Sequence, residues 1–148
     1  MMKILAAASA GGHWIQLLRL IPAFENEELL FLSTSDKFRD TVKGYEYHSV
    51  TNAHRGDKIK LLYMAFEIMK KVYTIKPDVI VTTGAAPGLL AIIAGKYLGA
   101  KTIWIDSIAN VEKLSLSGKI ARHFADRVYT QWPDLIEKNV IFKGNVLS

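Results

Sequence analysis

Lys3-Ile4-Leu5-Ala6-Ala7-Ala8-Ser9 runs through Ala10-Gly11-Gly12-His13 into Trp14-Ile15-Gln16-Leu17-Leu18-Arg19-Leu20-Ile21. The first segment reads as a short buried strand and the last as a helix, from its apolar residues at helical spacing. A strand that turns through two glycines into a helix gathers bare backbone N–H groups and the positive helix end at one point. Such a point suits an anion, for instance a diphosphate. Any tight strand-to-helix turn also wants glycine, so the turn taken alone leaves an anion site and a plain structural turn both open.

Outward from this turn, short apolar runs alternate with longer helical ones, the pattern of a doubly wound parallel α/β sheet of Rossmann-like type. Strands are expected at Lys3–Ser9, Glu28–Ser33, Tyr45–Val50, Asp78–Thr83, Lys101–Asp106, Arg127–Thr130 and Val140–Phe142. Helices are expected at His13–Ile21, Asp36–Val42, Lys58–Ile75, Pro87–Leu98, Ser117–Ala125 and Pro133–Lys138. Pro77 introduces a strand after a helix, and Gly99 suits a helix stop. With no linker, low-complexity stretch or internal repeat, residues 1–148 read as one domain.

Composition narrows the function classes. Half of the 148 residues are hydrophobic and 22% are charged, yet no apolar run reaches the length of a membrane span. The absence of cysteine excludes a disulfide framework and thiolate metal sites, and fits a cytoplasmic address. The net charge of +5 suggests an anionic partner without naming one. Lys and Arg are scattered, with no aromatic and basic stripe of the nucleic-acid-binding kind, so nucleic acid is not an expected partner.

Three loops fall at the carboxyl edge of the expected sheet, where doubly wound folds bind ligands. The first is the Gly11-Gly12-His13 turn. It lacks the Gly-Lys-Ser/Thr ending of a Walker loop and the Gly-x-Gly-x-x-Gly dinucleotide fingerprint. The second is Thr82-Thr83-Gly84-Ala85-Ala86-Pro87-Gly88, whose Pro87 fits a first helical turn. Together the two turns bring two helix N-termini toward one diphosphate. The third carries Asp106, Ser107, Asn110 and Glu112 and runs on to Leu114-Ser115-Leu116-Ser117-Gly118-Lys119. Asp106 could orient a hydroxyl or act as a base, or cap the loop backbone. Neither His13 nor Asp106 has a metal-ligand neighbour at telling spacing, so no metal is expected. His48, His54 and His123 read as surface or packing residues.

The segment Lys58–Ile75 is unusual. Its apolar residues span an arc of roughly 200° on a helical wheel, whereas packing on a sheet needs a stripe of about 100°. Leu61, Met64, Phe66 and Ile68, edged by Lys70 and Lys71, are expected to meet a membrane surface or a partner; deep burial between sheet and loops is the alternative.

Taken together, these loops resemble the asparagine-linked glycosylation protein fourteen family, including its bacterial relatives in exopolysaccharide and capsule assembly. The matching residues are Ser9-Ala10-Gly11-Gly12-His13, Pro77-Asp78, Thr83-Gly84 and Ile105-Asp106-Ser107. Leu114-Ser115-Leu116-Ser117-Gly118-Lys119, Ala125-Asp126-Arg127 and Gln131-Trp132-Pro133-Asp134-Leu135 follow in order. The resemblance implies the N-terminal, acceptor-side half of a split glycosyltransferase with the B-type arrangement of two Rossmann-like domains. It implies that a separate subunit holds the UDP-sugar, so that no cofactor belongs to this chain itself. It also implies that this chain binds a polyprenyl-diphosphate-linked sugar and recruits the donor-binding subunit to the membrane.

Carried over residue by residue, Ser9, Gly11, Gly12, Gly84 and Ser107 form the expected acceptor and phosphate site, with His13 and Asp106 as candidate catalytic residues. Asp106 stands where many members carry glutamate, and Asn110 where eukaryotic members tend to carry arginine. The eukaryotic N-terminal anchor has no counterpart here, so the expected location is peripheral, on the inner face of the plasma membrane. Two other readings belong to different classes: a recruitment module without a role in chemistry, and a self-sufficient nucleotide-sugar-binding enzyme.

Overall fold

A computed structural model describes residues 1–54 and 56–147. Its strands are β1 (Lys3–Ala8), β2 (Glu28–Ser33), β3 (Glu46–Ser49), β4 (Val79–Gly84), β5 (Lys101–Ile105), β6 (Arg127–Thr130) and β7 (Ile141–Phe142). The α-helices are α1 (Gly12–Leu18), α2 (Lys58–Ile75), α3 (Ala85–Tyr97) and α4 (Leu116–Ala121). All seven strands pair in parallel, in the order β3-β2-β1-β4-β5-β6-β7. The order reverses between β1 and β4. This is the doubly wound, Rossmann-like sheet expected from the alternation of short and long apolar runs.

Side chains of β1 alternate between two cores. Leu5 and Ala7 join Leu30, Leu32 and Ile80 beneath α2 and α3. Ile4, Ala6 and Ala8 join Phe31 and Val81 beneath α1, whose Trp14 and Leu17 are buried with them. A strand buried on both faces has no need of polar alternation, which is why β1 reads as a continuous apolar run.

Several boundaries differ from the sequence expectation. The first helix stops at Leu18 and the chain rewinds as a 3-10 turn over Ile21–Phe24, because Pro22 has no N–H with which to continue the α-helical ladder. Asp36–Val42 and Pro133–Leu135 are also 3-10 turns, the latter well short of Lys138. Helix α3 begins at Ala85, so Pro87 sits in the first turn, where its missing N–H costs nothing.

Helix α2 carries two apolar stripes. Met64 and Ile68 are both 0% exposed and lie with Val72 and Ile75 in the core beneath the helix. Their expected contact with a membrane or partner is therefore corrected: the spacing 64, 68, 72, 75 is the inward stripe. Burying each such side chain contributes about 1.5–3 kcal/mol, which fixes the rotation of the helix on the sheet. That rotation turns Ile59 (83% exposed), Leu62 (74%) and Phe66 (69%) outward. Lys58, Lys60 and Lys70 are exposed on the same helix, Leu61 is half-buried, and the Lys71 Nζ lies 3.5 Å from His48 Nδ1. No described helix is long and apolar enough to cross a membrane.

Candidate active site

The carboxyl ends of β1 and β4 are neighbours at the point where strand order reverses, and chains leaving such a point diverge to open a crevice. The Gly11-Gly12-His13 turn leaves β1 there and Gly84 leaves β4. Ser9 is half-buried at the end of β1, while Gly11 and Gly12 form the exposed part of the turn.

His13 is fixed from β4. Its Nδ1 lies 3.0 Å from the Thr83 carbonyl oxygen, and its own carbonyl accepts the Thr83 hydroxyl at 2.5 Å. A carbonyl oxygen only accepts, so Nδ1 is the donor, and in the neutral ring the free lone pair is on Nε2. Nε2 has no hydrogen-bond partner among the described residues. The ring rests against Gly84, where a Cβ would stand 2.8 Å from Nδ1. Gly84 has φ 131° and the next residue, Ala85, has φ 67°, a left-handed conformation that costs a non-glycine residue about 1–2 kcal/mol. The strained step carries the chain from β4 straight into α3 beneath the imidazole. Gly84→Ala is expected to displace the ring and lower any turnover that depends on it by about 100-fold, the penalty of a misplacement near 1 Å. Thermal unfolding beside an activity assay separates this loss from unfolding.

His13 lines a cleft of about 550 Å³. Ala85, Ala86, Leu89 and Leu90 of α3 line one wall, Leu61 of α2 another, and Ser115, Leu116 and Ile120 a third, with His54 and Ala53 alongside. The cleft is therefore largely apolar, with the His13 and His54 imidazoles in its lining. Its α2 wall is held by Glu67, whose carboxylate accepts both the N–H and the hydroxyl of Thr51 at 2.7 and 3.0 Å and so ties down the start of the 51–54 loop.

Asp106 lies elsewhere. It is 2% exposed, and its carboxylate accepts from Trp104 Nε1, Asn110 Nδ2, and both the N–H and hydroxyl of Ser115. Gly118 of α4 closes over it, and a Cβ there would lie 2.4 Å from Oδ1. With four donors on a carboxylate this buried, both oxygens are already engaged within the fold, so the candidate base role is corrected: Asp106 organises the 106–115 segment and seats α4. Ser115 in turn caps α4 by accepting the Gly118 N–H at 2.9 Å. Ser107 is corrected likewise. It is buried, and its hydroxyl accepts from Gln16 Nε2 and the Ala109 N–H, which turns it into the loop and away from the cleft.

Sequence reasoning gave no site role to Thr83, Ser115, Gln16 or Gln131. Gln16 offered one signal, a polar residue between Trp14 and Leu17 on the inward face of α1. Gln131 stood in the Gln131-Trp132-Pro133 segment without an assigned task. A second cleft, of about 560 Å³, lies where β6 meets the C-terminal segment and is lined by Arg19, Tyr129, Gln131 and Lys143 among others.

Known proteins bear on this geometry. A family model described as "Oligosaccharide biosynthesis protein Alg14 like" matches residues 4–146. The Mus musculus protein named UDP-N-acetylglucosamine transferase subunit ALG14 is 28% identical over 171 residues, covering 93% of this chain and 78% of its own length. The Yarrowia lipolytica protein of the same name is also 28% identical, covering 92% and 76%. Among solved structures, Acinetobacter baumannii MurG superposes with a TM-score of 0.79 at 14% identity, over 98% of this chain and 46% of MurG. The chain thus spans about half the length of that structure, and the likeness is one of fold.

Proposed function

The chain belongs to the Alg14-like family of oligosaccharide biosynthesis proteins, and from that premise we propose that it is the acceptor-side subunit of a two-component UDP-sugar transferase. A separate donor-binding subunit holds the UDP-sugar, UDP-N-acetylglucosamine or a similar hexose or uronate, over the carboxyl edge of the sheet. This chain holds a polyprenyl-diphosphate-linked sugar and recruits that subunit to the inner face of the plasma membrane.

The observation that carries the reading is the His13 cleft. An imidazole whose Nδ1 is tied to Thr83, leaving Nε2 without a partner among the described residues, lines a largely apolar groove. Its Leu61 wall adjoins the outward apolar stripe of α2. In this reading the acceptor's isoprenoid runs from the membrane along Leu61 and Leu116, and its diphosphate meets the turns at Gly12 and Gly84. The acceptor hydroxyl gives its proton to His13 Nε2 as its oxygen bonds to the anomeric carbon of the donor. The bond from that carbon to the UDP phosphate oxygen breaks, and UDP leaves with the electron pair.

Ile59, Leu62 and Phe66, with Lys58, Lys60 and Lys70 beside them, form the membrane-facing surface, the apolar residues entering the interface and the lysines meeting anionic headgroups. Replacing both Leu62 and Phe66 by Glu removes about 1.5–3 kcal/mol of burial at each position. Affinity for anionic vesicles is therefore expected to fall by roughly 100-fold or more in a flotation assay, with unfolding unchanged because both side chains are already in solvent.

The reading itself is tested by ligand preference of the purified chain. Vesicles carrying a polyprenyl-diphosphate-linked sugar are expected to retain the chain more strongly than vesicles lacking it, while UDP-N-acetylglucosamine shows no measurable affinity in calorimetry. Tight binding of the nucleotide sugar with indifference to the lipid-linked sugar would overturn it in favour of a self-sufficient enzyme.

A further inference from the structure

Gln16 of α1 and Gln131 after β6 are 115 positions apart and meet in the interior. Gln131 Nε2 donates to Gln16 Oε1 at 2.7 Å and to the Asp106 carbonyl at 2.9 Å, while its Oε1 accepts the Val146 N–H at 3.0 Å. Gln16 Oε1 also accepts the Ile108 N–H at 3.1 Å, and its Nε2 donates to Ser107 Oγ at 3.0 Å. We propose that this pair is an amide clasp that positions His13 against the 106–115 segment, and that Gln16 and Gln131 are positioning residues for transfer; the proposal rests on the reading of His13 as the base.

The bonding has one direction only. Flipping the Gln131 carboxamide would set its NH2 against the Val146 N–H and its oxygen against the Asp106 carbonyl. Flipping Gln16 would set its NH2 against the Ile108 N–H. Each amide thus locks the other, and a buried polar network with every member satisfied is rigid. Gln16 lies three residues beyond His13, less than one turn along the same helix, so fixing Gln16 fixes the height and rotation of the imidazole. On the far side, Trp132 Nε1 donates to the Ile108 carbonyl at 2.7 Å. The Gln131-Trp132 pair therefore grips the 106–108 backbone twice, which gives the Gln-Trp-Pro segment its task. The C-terminal segment closes the arrangement: Val146 gives its N–H to Gln131 and accepts from Arg19 of the α1 end at 3.1 Å.

The test uses the transferase complex carrying Gln131→Glu, which is nearly isosteric but sets an oxygen against two acceptors, the Asp106 carbonyl and Gln16 Oε1. Expected are a kcat lower by about 100-fold with an unchanged acceptor KM, faster hydrogen exchange at the Ile108 amide, and little further loss when the change is made in a His13→Ala background. An unchanged kcat, an equal proportional loss in both backgrounds, or unaltered exchange at Ile108 would overturn the clasp. Should His13→Ala itself leave transfer intact, the base assignment falls and the Ile108 exchange alone decides: faster exchange upholds the clasp and unaltered exchange removes it. Gln131→Met, which keeps the shape and deletes all three bonds, serves if Gln131→Glu fails to fold.

Discussion

Replacing His13 by alanine is expected to lower sugar transfer by about 100- to 10,000-fold, the range for losing a positioned general base. Recruitment of the donor-binding subunit should be undisturbed. The magnitude follows from the geometry at β4. The Thr83 carbonyl accepts the Nδ1–H, Gly84 lacks the Cβ that would push the ring aside, and Nε2 of this cleft-lining residue is left without a partner among the described residues. His54, the other imidazole lining the cleft, is exposed on the 51–54 loop and has no counterpart of the Thr83 contacts that orient His13. The comparison to make is turnover beside co-purification of the partner. Turnover that survives His13→Ala would remove His13 from the chemistry and favour a chain that only recruits.

The second large effect is on folding. Asp106→Ala leaves Trp104 Nε1, Asn110 Nδ2 and the Ser115 N–H and hydroxyl without their acceptor. At about 1–3 kcal/mol for each donor that stays buried and unpaired, a net loss of roughly 3–5 kcal/mol is expected after local relaxation. For a domain of this size that corresponds to a midpoint lower by roughly 10 °C in a thermal melt. Asp106→Asn should fall between, because one carboxylate oxygen becomes an NH2 facing other N–H groups. An Asp106→Asn protein with an unshifted melting midpoint and abolished transfer would contradict the structural role and restore Asp106 as a participant in chemistry.

Local chemistry made much of this molecule legible. The β1 run, the two glycine turns and the Pro87 first turn are set by residues within a few positions of one another, and all lie where their patterns put them. The helical wheel of α2 revealed surplus apolar surface but could not orient it, because both stripes are apolar. Only packing on β1, β4 and α3 decides that Met64 and Ile68 turn inward and Leu62 and Phe66 outward. Asp106 misled for a related reason. A carboxylate at the carboxyl end of a strand looks the same whether it faces a substrate or a ring of donors, and those donors come from Trp104, Asn110 and Ser115, with Gly118 closing the lid. The Gln16 and Gln131 contact spans 115 positions and has no periodic signature. Long-range polar contacts of this kind are visible only once the fold has brought their elements together.

The central claim is that two proteins share one transfer reaction, with this chain supplying the acceptor side. The most direct measurement captures the chain from native membranes, separates what comes with it, and follows radiolabelled UDP-N-acetylglucosamine and a panel of other UDP-sugars into a polyprenyl-diphosphate-linked acceptor in vesicles. The account predicts that label enters the lipid fraction only when the chain and a co-purified UDP-binding subunit are both present. Transfer by the chain alone, or transfer by the partner at full rate without it, would contradict the account.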